Sequence, residues 1–186
     1  DVNAPSNNGE TALQLACLTG VHENAETLLD FGAFINTTDK DNKTALHCAS
    51  ASKQVNRDVI KLLCEGGIGV NAQNNNDTTA LQLACLNGVQ ENAEMLLHFG
   101  ASINSTDKDN NNALHYASRS KQVNQVVIKI LTEKDIDLNA QNKNGTTALQ
   151  IACLTGVCQN AKTLLDIGAS INSTDQNNKN ALHYAS

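Results

Sequence analysis

A four-residue motif, Thr/Asn-Ala-Leu-His/Gln, begins at Thr11, Thr44, Thr79, Asn112, Thr147 and Asn180. The spacings are 33, 35, 33, 35 and 33 residues, so short and long units alternate with a superperiod of 68. Self-similarity at this period marks a repeat architecture, in which each unit is one supersecondary element. Residues 11–50 and 79–118 agree at 31 of 40 positions, so a two-unit block has been duplicated. Whatever one unit folds into, its neighbours fold into as well.

The first unit shows what that is. Thr11 has a hydroxyl to cap a helix starting at Ala12. Leu13, Ala16 and Cys17 then fall on one helical face, and Gly20 suits the left-handed position after a helix end. Ala25, Leu28 and Leu29 repeat the pattern in a second helix that Gly32 ends. The polar stretch INTTDKDNK leads to the next threonine and is rich in turn-forming Asn and Asp. One helix pair is too small to bury its own apolar face, so it must stack on a neighbour of the same kind. The kind of apolar residue agrees: aromatics are 3% and Trp is absent, while Ala and Leu dominate, which suits closely packed helices. The single proline, Pro5, interrupts nothing.

These stretches resemble the ankyrin repeat, on TALQLACLTG, LLDFGAFIN, TALHCAS and CEGGIGVNA, and the resemblance runs end to end. There are departures. Ala replaces the family's proline after the threonine, and Gln14, Gln82 and Gln150 replace its histidine in the short units. Asn42, Asp77, Asn110 and Asn178 stand at the turn glycine, where Asn and Asp tolerate the left-handed conformation. The resemblance implies an all-α fold, an ankyrin-repeat solenoid of stacked helix-turn-helix units with projecting hairpin-like turns. Residues 1–186 then form a single array: 1–10 the tail of a preceding repeat, then 11–43, 44–78, 79–111, 112–146 and 147–179, with 180–186 opening a truncated repeat. An array that opens on DVNA and ends inside a first helix reads as a window cut from a longer one.

Several function classes are disfavoured. The net charge is −6 with no Lys/Arg cluster, against the basic face of a nucleic-acid binder. No run approaches the roughly 18 apolar residues of a membrane helix. No nucleophile–base constellation, phosphate-cradling loop or CxxC pair occurs, so no enzyme activity, small-molecule substrate, cofactor or metal is expected. Asp107, Asp109 and Asn111 begin like a calcium loop, but Asn112 stands where the glycine should and Ser118 where the glutamate should. Cys17, Cys85 and Cys153 share one repeat position and, with Cys48 and Cys64, read as small core residues. Cys158 lies near a turn and reads as exposed. His47, His115 and His183 share the motif position, where the resemblance implies an imidazole that stabilises the turn.

What remains is surface. In ankyrin-like arrays the turn tips and the exposed side of each first helix line a concave groove. Carried over, the tips offer Lys40, Asp41 and Lys43, then Asn75 and Asn76, then Lys108, Asp109 and Asn111, then Lys143 and Asn144, then Gln176, Asn177 and Lys179. The first helices offer Arg119 and the recurring Leu18, Leu86 and Leu154. The inserts 53–56 and 121–124 in the long units suggest a second repeated ridge. The expected function is a non-enzymatic protein-interaction scaffold in the cytoplasm, with a protein partner. The alternative is a structural array that self-associates into filaments, extracellular and N-glycosylated. Six Asn-x-Ser/Thr sequons occur, and Asn36, Asn104 and Asn172 hold one register 68 residues apart.

Overall fold

The computed structural model describes residues 1–185. Eleven helices and no strand are present among the described residues. They come in pairs: α1 (Ala12–Thr19) with α2 (His22–Asp30), α3 (Ala45–Ala51) with α4 (Arg57–Glu65), α5 (Ala80–Asn87) with α6 (Gln90–His98). Then follow α7 (Ala113–Arg119) with α8 (Gln125–Thr132), α9 (Ala148–Thr155) with α10 (Cys158–Ile167), and the short α11 (Ala181–Tyr184). Two compact units result, residues 1–84 with 91–102 and residues 85–90 with 103–186.

The local rules operate as the sequence suggests. Thr11 is extended and accepts the Gln14 N–H, and the Gln14 side chain returns to the Thr11 N–H at 2.8 Å, closing a capping box. Thr147 and Gln150 do the same. Asn112 caps α7 instead, its side-chain oxygen accepting from the N–H groups of Leu114 and His115. Asn42, Asp77, Asn110 and Asn178 adopt φ between 57° and 61°, the left-handed turn position.

In the first unit α1 packs on both α2 and α3, and α4 packs on α2 and α3. Its core is small and aliphatic: Leu13, Cys17, Leu46, Ala49, Ile60 and Leu63 are all buried. In the second unit α9 packs against α7, α10 and α11, and α8 against α7 and α10. Leu114, Ile128, Leu131, Leu149 and Leu164 fill that core. Cys48, Cys64 and Cys153 depart from the expected burial and are only half-buried, whereas Cys158 is exposed. Burial pushes the Cys17 and Cys85 thiols up to about 12, so they act as small apolar residues rather than thiolates.

The inserts of the long units are not ridges at their C-terminal end. Asn56 and Asn124 are each 2% exposed. Asn56 Nδ2 donates to the carbonyls of Cys17 and Ala49 at 3.2 and 2.9 Å, tying two neighbouring first helices together. Its own N–H donates to Asn92 Oδ1 at 2.7 Å, and Asn92 Nδ2 donates to the Gln54 carbonyl at 3.0 Å. The second unit repeats the arrangement with Asn124 on Cys85 and Ala117, Asn160 Oδ1 and the Gln122 carbonyl. Gly20 is part of this joint, because a Cβ there would collide with Asn56 Oδ1. The two extra residues of a long unit thus lead the chain into a buried amide clamp. Sequence alone suggested a solvated loop because asparagine is usually exposed.

Asn24, Asn92 and Asn160 share one repeat position, but Asn24 is exposed while the other two are fully buried. Asn92→Ala removes a buried donor and a buried acceptor, and should lower unfolding free energy by about 2–3 kcal/mol. Asn24→Ala should change it by less than about 0.5 kcal/mol. Urea denaturation of the two variants checks the contrast.

Candidate functional site

The turn tips are built by aspartate and asparagine. Asp39 Oδ1 accepts from the N–H groups of Asp41 and Lys43 at 2.9 and 2.8 Å. Asp107 treats Asp109 and Asn111 in the same way, and Asp175 treats Asn177 and Lys179. Asn74 and Asn142 hold the intervening tips. The aspartates that resemble calcium ligands are thus occupied by backbone N–H groups. No group of three or more His, Cys, Asp or Glu could hold a metal ion among the described residues.

Tips are then bonded to neighbouring tips. Asn75 N–H donates to the Asp41 carbonyl at 2.8 Å, and Asn75 Nδ2 to the Lys40 carbonyl at 3.0 Å. In the second unit Lys143 N–H donates to Asp109 O at 2.8 Å. Gln176 Nε2 donates to Lys143 O at 2.7 Å. Asn75 and Gln176, expected to meet a partner, therefore spend their amides on the stack. Asn111, expected on a tip, is buried at 2% exposure. Its Nδ2 donates to both Asp107 oxygens, and its Oδ1 accepts from Asn142 Nδ2 at 2.9 Å. Sequence position put it at a tip, but the carboxylate beside it draws its amide inward.

Other candidates are exposed. Asp41 pairs with the half-buried Lys43 at 2.9 Å, and Lys179 lies 5.8 Å over the Tyr184 ring. Lys40, Asn76, Lys108, Asp109, Lys143, Asn144 and Asn177 are exposed, with no side-chain partner among the described residues. On the first helices Leu18 and Leu154 are 44% and 65% exposed, whereas Leu86 is half-buried. Arg119 is exposed and lies 5.5 Å over Tyr116. Tyr116 in turn donates its hydroxyl to Asp107 Oδ2 at 2.8 Å, so tip and first helix are locked into one surface. Burial and the hydrogen bonds to this carboxylate act in opposite directions, and the balance holds Asp107 below its ordinary pKa. Sequence reading missed the aspartate–tyrosine link. Its trace is an aspartate nine residues before a tyrosine in two of the three long units.

The motif histidine is structural. His47 Nδ1 accepts the Thr44 N–H at 3.1 Å, and Nε2 lies 3.0 Å from the Thr78 carbonyl, to which it donates in the neutral tautomer. Gln14 does the same work with its Oε1 on Thr11 and its Nε2 on the Lys43 carbonyl at 2.6 Å. Histidine and glutamine are interchangeable here because each offers one acceptor and one donor at the same span. The back of the first unit holds a cleft of about 480 Å3 between α4 and α6. Arg57 and Lys61 face Glu91 and Glu94 across it, which favours no sign of ligand.

This geometry defines a class: stacked helix pairs with bonded tips and exposed, uncommitted side chains on one surface. The family model for ankyrin repeats (3 copies) matches residues 1–74, 51–142 and 124–186, and the chain belongs to the ankyrin-repeat family. It is similar to the mouse B-cell lymphoma 3 protein homolog, 28% identical over 91% of this chain and 38% of that protein. It is 29% identical to the phosphocholine transferase AnkX of Legionella pneumophila, over 99% of this chain and 22% of that protein. It is 26% identical to human Rabankyrin-5, over 97% of this chain and 16% of that protein. The chain thus spans well under half the length of these relatives. Ankyrin repeats are generally protein-interaction modules, and the chain shares that repeat region with proteins of different activities. No helix is long and apolar enough to cross a membrane among the described residues.

Burial lowers the pKa of His47, more than its bond to Thr78 and the nearby Asp39 raise it, and Lys43 lowers it further. A depressed folded-state pKa means that the unfolded chain binds the proton first. Stability is therefore full above about pH 6.5 and falls below it, towards the folded-state pKa. His115 is lowered in the same direction, again chiefly by burial. His47→Gln should fold and should flatten part of the pH 5–7 slope of the melting temperature, measured by circular dichroism.

Proposed function

We propose that the chain is a non-enzymatic protein-interaction module whose tips and first helices recognise a protein partner. One observation carries this reading. Most polar tip residues are absorbed by turn or inter-tip hydrogen bonds, yet Lys40, Lys108, Asp109, Lys143, Asn144 and Asn177 are exposed and uncommitted. Folding alone gives them no task. Beside them, Leu154 and Leu18 expose apolar area on the first helices. A rim of charges around exposed leucines matches the polar rim and apolar centre of a protein interface. The lysines favour an acidic or mixed partner surface. A cytoplasmic setting goes with this reading.

A second reading, a glycosylated extracellular array, is favoured by the sequons. Asn36, Asn104 and Asn172 are exposed, and so are the threonines two positions on, Thr38, Thr106 and Thr174. In the remaining sequons the corresponding threonine is buried at Thr44 and Thr78 and half-buried at Thr146. An intact mass of the native protein separates the readings by the presence or absence of sugar on that register.

The triple variant Lys108→Glu, Lys143→Glu, Leu154→Ser tests the interaction reading. Its melting temperature should stay within about 2 °C of wild type, because the replaced side chains hold no structural bond. Proteins captured specifically by immobilised wild type should be lost or retained at least tenfold less. Undiminished capture by the variant overturns the proposed surface.

A further inference from the structure

The long units begin at Thr44, Asn112 and Asn180. In two of them a tyrosine hydroxyl donates to Oδ2 of the aspartate nine residues earlier: Tyr116 to Asp107, and Tyr184 to Asp175 at 2.5 Å. The remaining unit keeps the aspartate and its turn but has Cys48 in place of tyrosine. A thiol ends one bond beyond Cβ, so both the ring and its hydroxyl are missing. Lys43, at the position of Asn111, does not compensate. Asn111 donates to both Asp107 oxygens, whereas Lys43 Nζ turns to Asp41 Oδ2. No donor reaches Asp39 Oδ2 among the described residues.

The apolar floor is open at the same place. Leu15 lies on α1, which packs against the helix of Cys48, and it is 46% exposed. Ile151, at the same repeat position, lies on α9 between the helices that carry Tyr116 and Tyr184, and it is 6% exposed. Cys48 itself is half-buried and lies close enough to Asp39 and Lys43 to sense both charges.

We propose that this notch is a docking subsite for one tyrosine side chain of the protein partner, with its ring on Leu15 and Cys48 and its hydroxyl donating to Asp39 Oδ2. The proposal rests on the interaction reading above and names the side chain that one part of the surface takes. The chain's own repeats supply the template, because Tyr116 and Tyr184 occupy this position in the other long units. An aromatic with a polar tip suits an apolar floor beside a lone acceptor. A phosphotyrosine is disfavoured, since its charge would meet the Asp39 carboxylate. A lysine is disfavoured, since the ammonium of Lys43 is already beside the site and the floor offers it no partner.

The test uses p-cresol, the side chain of tyrosine, titrated into the 15N-labelled chain. Saturable shifts are expected for the amides of Leu15, Cys48 and Asp39–Lys43, with toluene at least threefold weaker because it lacks the hydroxyl. Cys48→Tyr fills the notch from within and should weaken the p-cresol response at least tenfold, while raising the melting temperature. Its far-UV spectrum shows that it folds. Absent shifts at these amides, or shifts that survive Cys48→Tyr, overturn the subsite. A partner captured through Lys108, Lys143 and Leu154 by a chain that ignores p-cresol overturns the notch alone and leaves the interaction reading standing.

Discussion

Each helix pair depends on polar bonds that leave it. A unit of about 34 residues cannot bury enough apolar surface by itself, so its order is borrowed from a neighbour. Packed leucines supply the attraction but do not fix the angle or register of stacking. Directional hydrogen bonds do. His47 reaches the Thr78 carbonyl, Gln14 reaches the Lys43 carbonyl, and Asn56 reaches the carbonyls of Cys17 and Ala49. Each of these ends on main chain of an adjacent unit. Main-chain acceptors are present whatever the side chains are, which is why the same bolt recurs while surface residues vary.

The bolts also explain the alternation of 33 and 35 residues. The two additional residues of a long unit carry Asn56 or Asn124 into the joint, and the following short unit supplies Asn92 or Asn160 to receive it. Neither unit type completes the clamp alone. The duplicated object is therefore the pair, and near-identity across 68 residues follows from a joint that needs both members.

Function occupies what the bolts leave over. Asn75, Gln176 and Asn111 look like ligand-facing tip residues but serve the stack, whereas Lys108, Lys143 and Asn144 do not. The distinction separates positions that any such array needs from positions open to a partner. Cys48 belongs to neither group. It interrupts an aspartate–tyrosine link that the other two long units keep, and leaves a carboxylate oxygen facing an apolar floor.

Much of this was legible in the chain. The motif spacing, the Thr caps, the helix faces and the left-handed Asn and Asp turns follow from rules that act over a few residues, and the family follows from their recurrence. The candidate surface was legible only as a set of positions. Whether Asn111 points out or in depends on Asp107 and Asn142, the second of which lies 31 residues away. Whether Asn92 is buried and Asn24 exposed depends on a neighbouring loop that meets one and not the other. Local sequence decides conformation because its causes are local. Burial and bonding of a polar side chain are decided by what another unit brings to it, and that only the tertiary structure supplies.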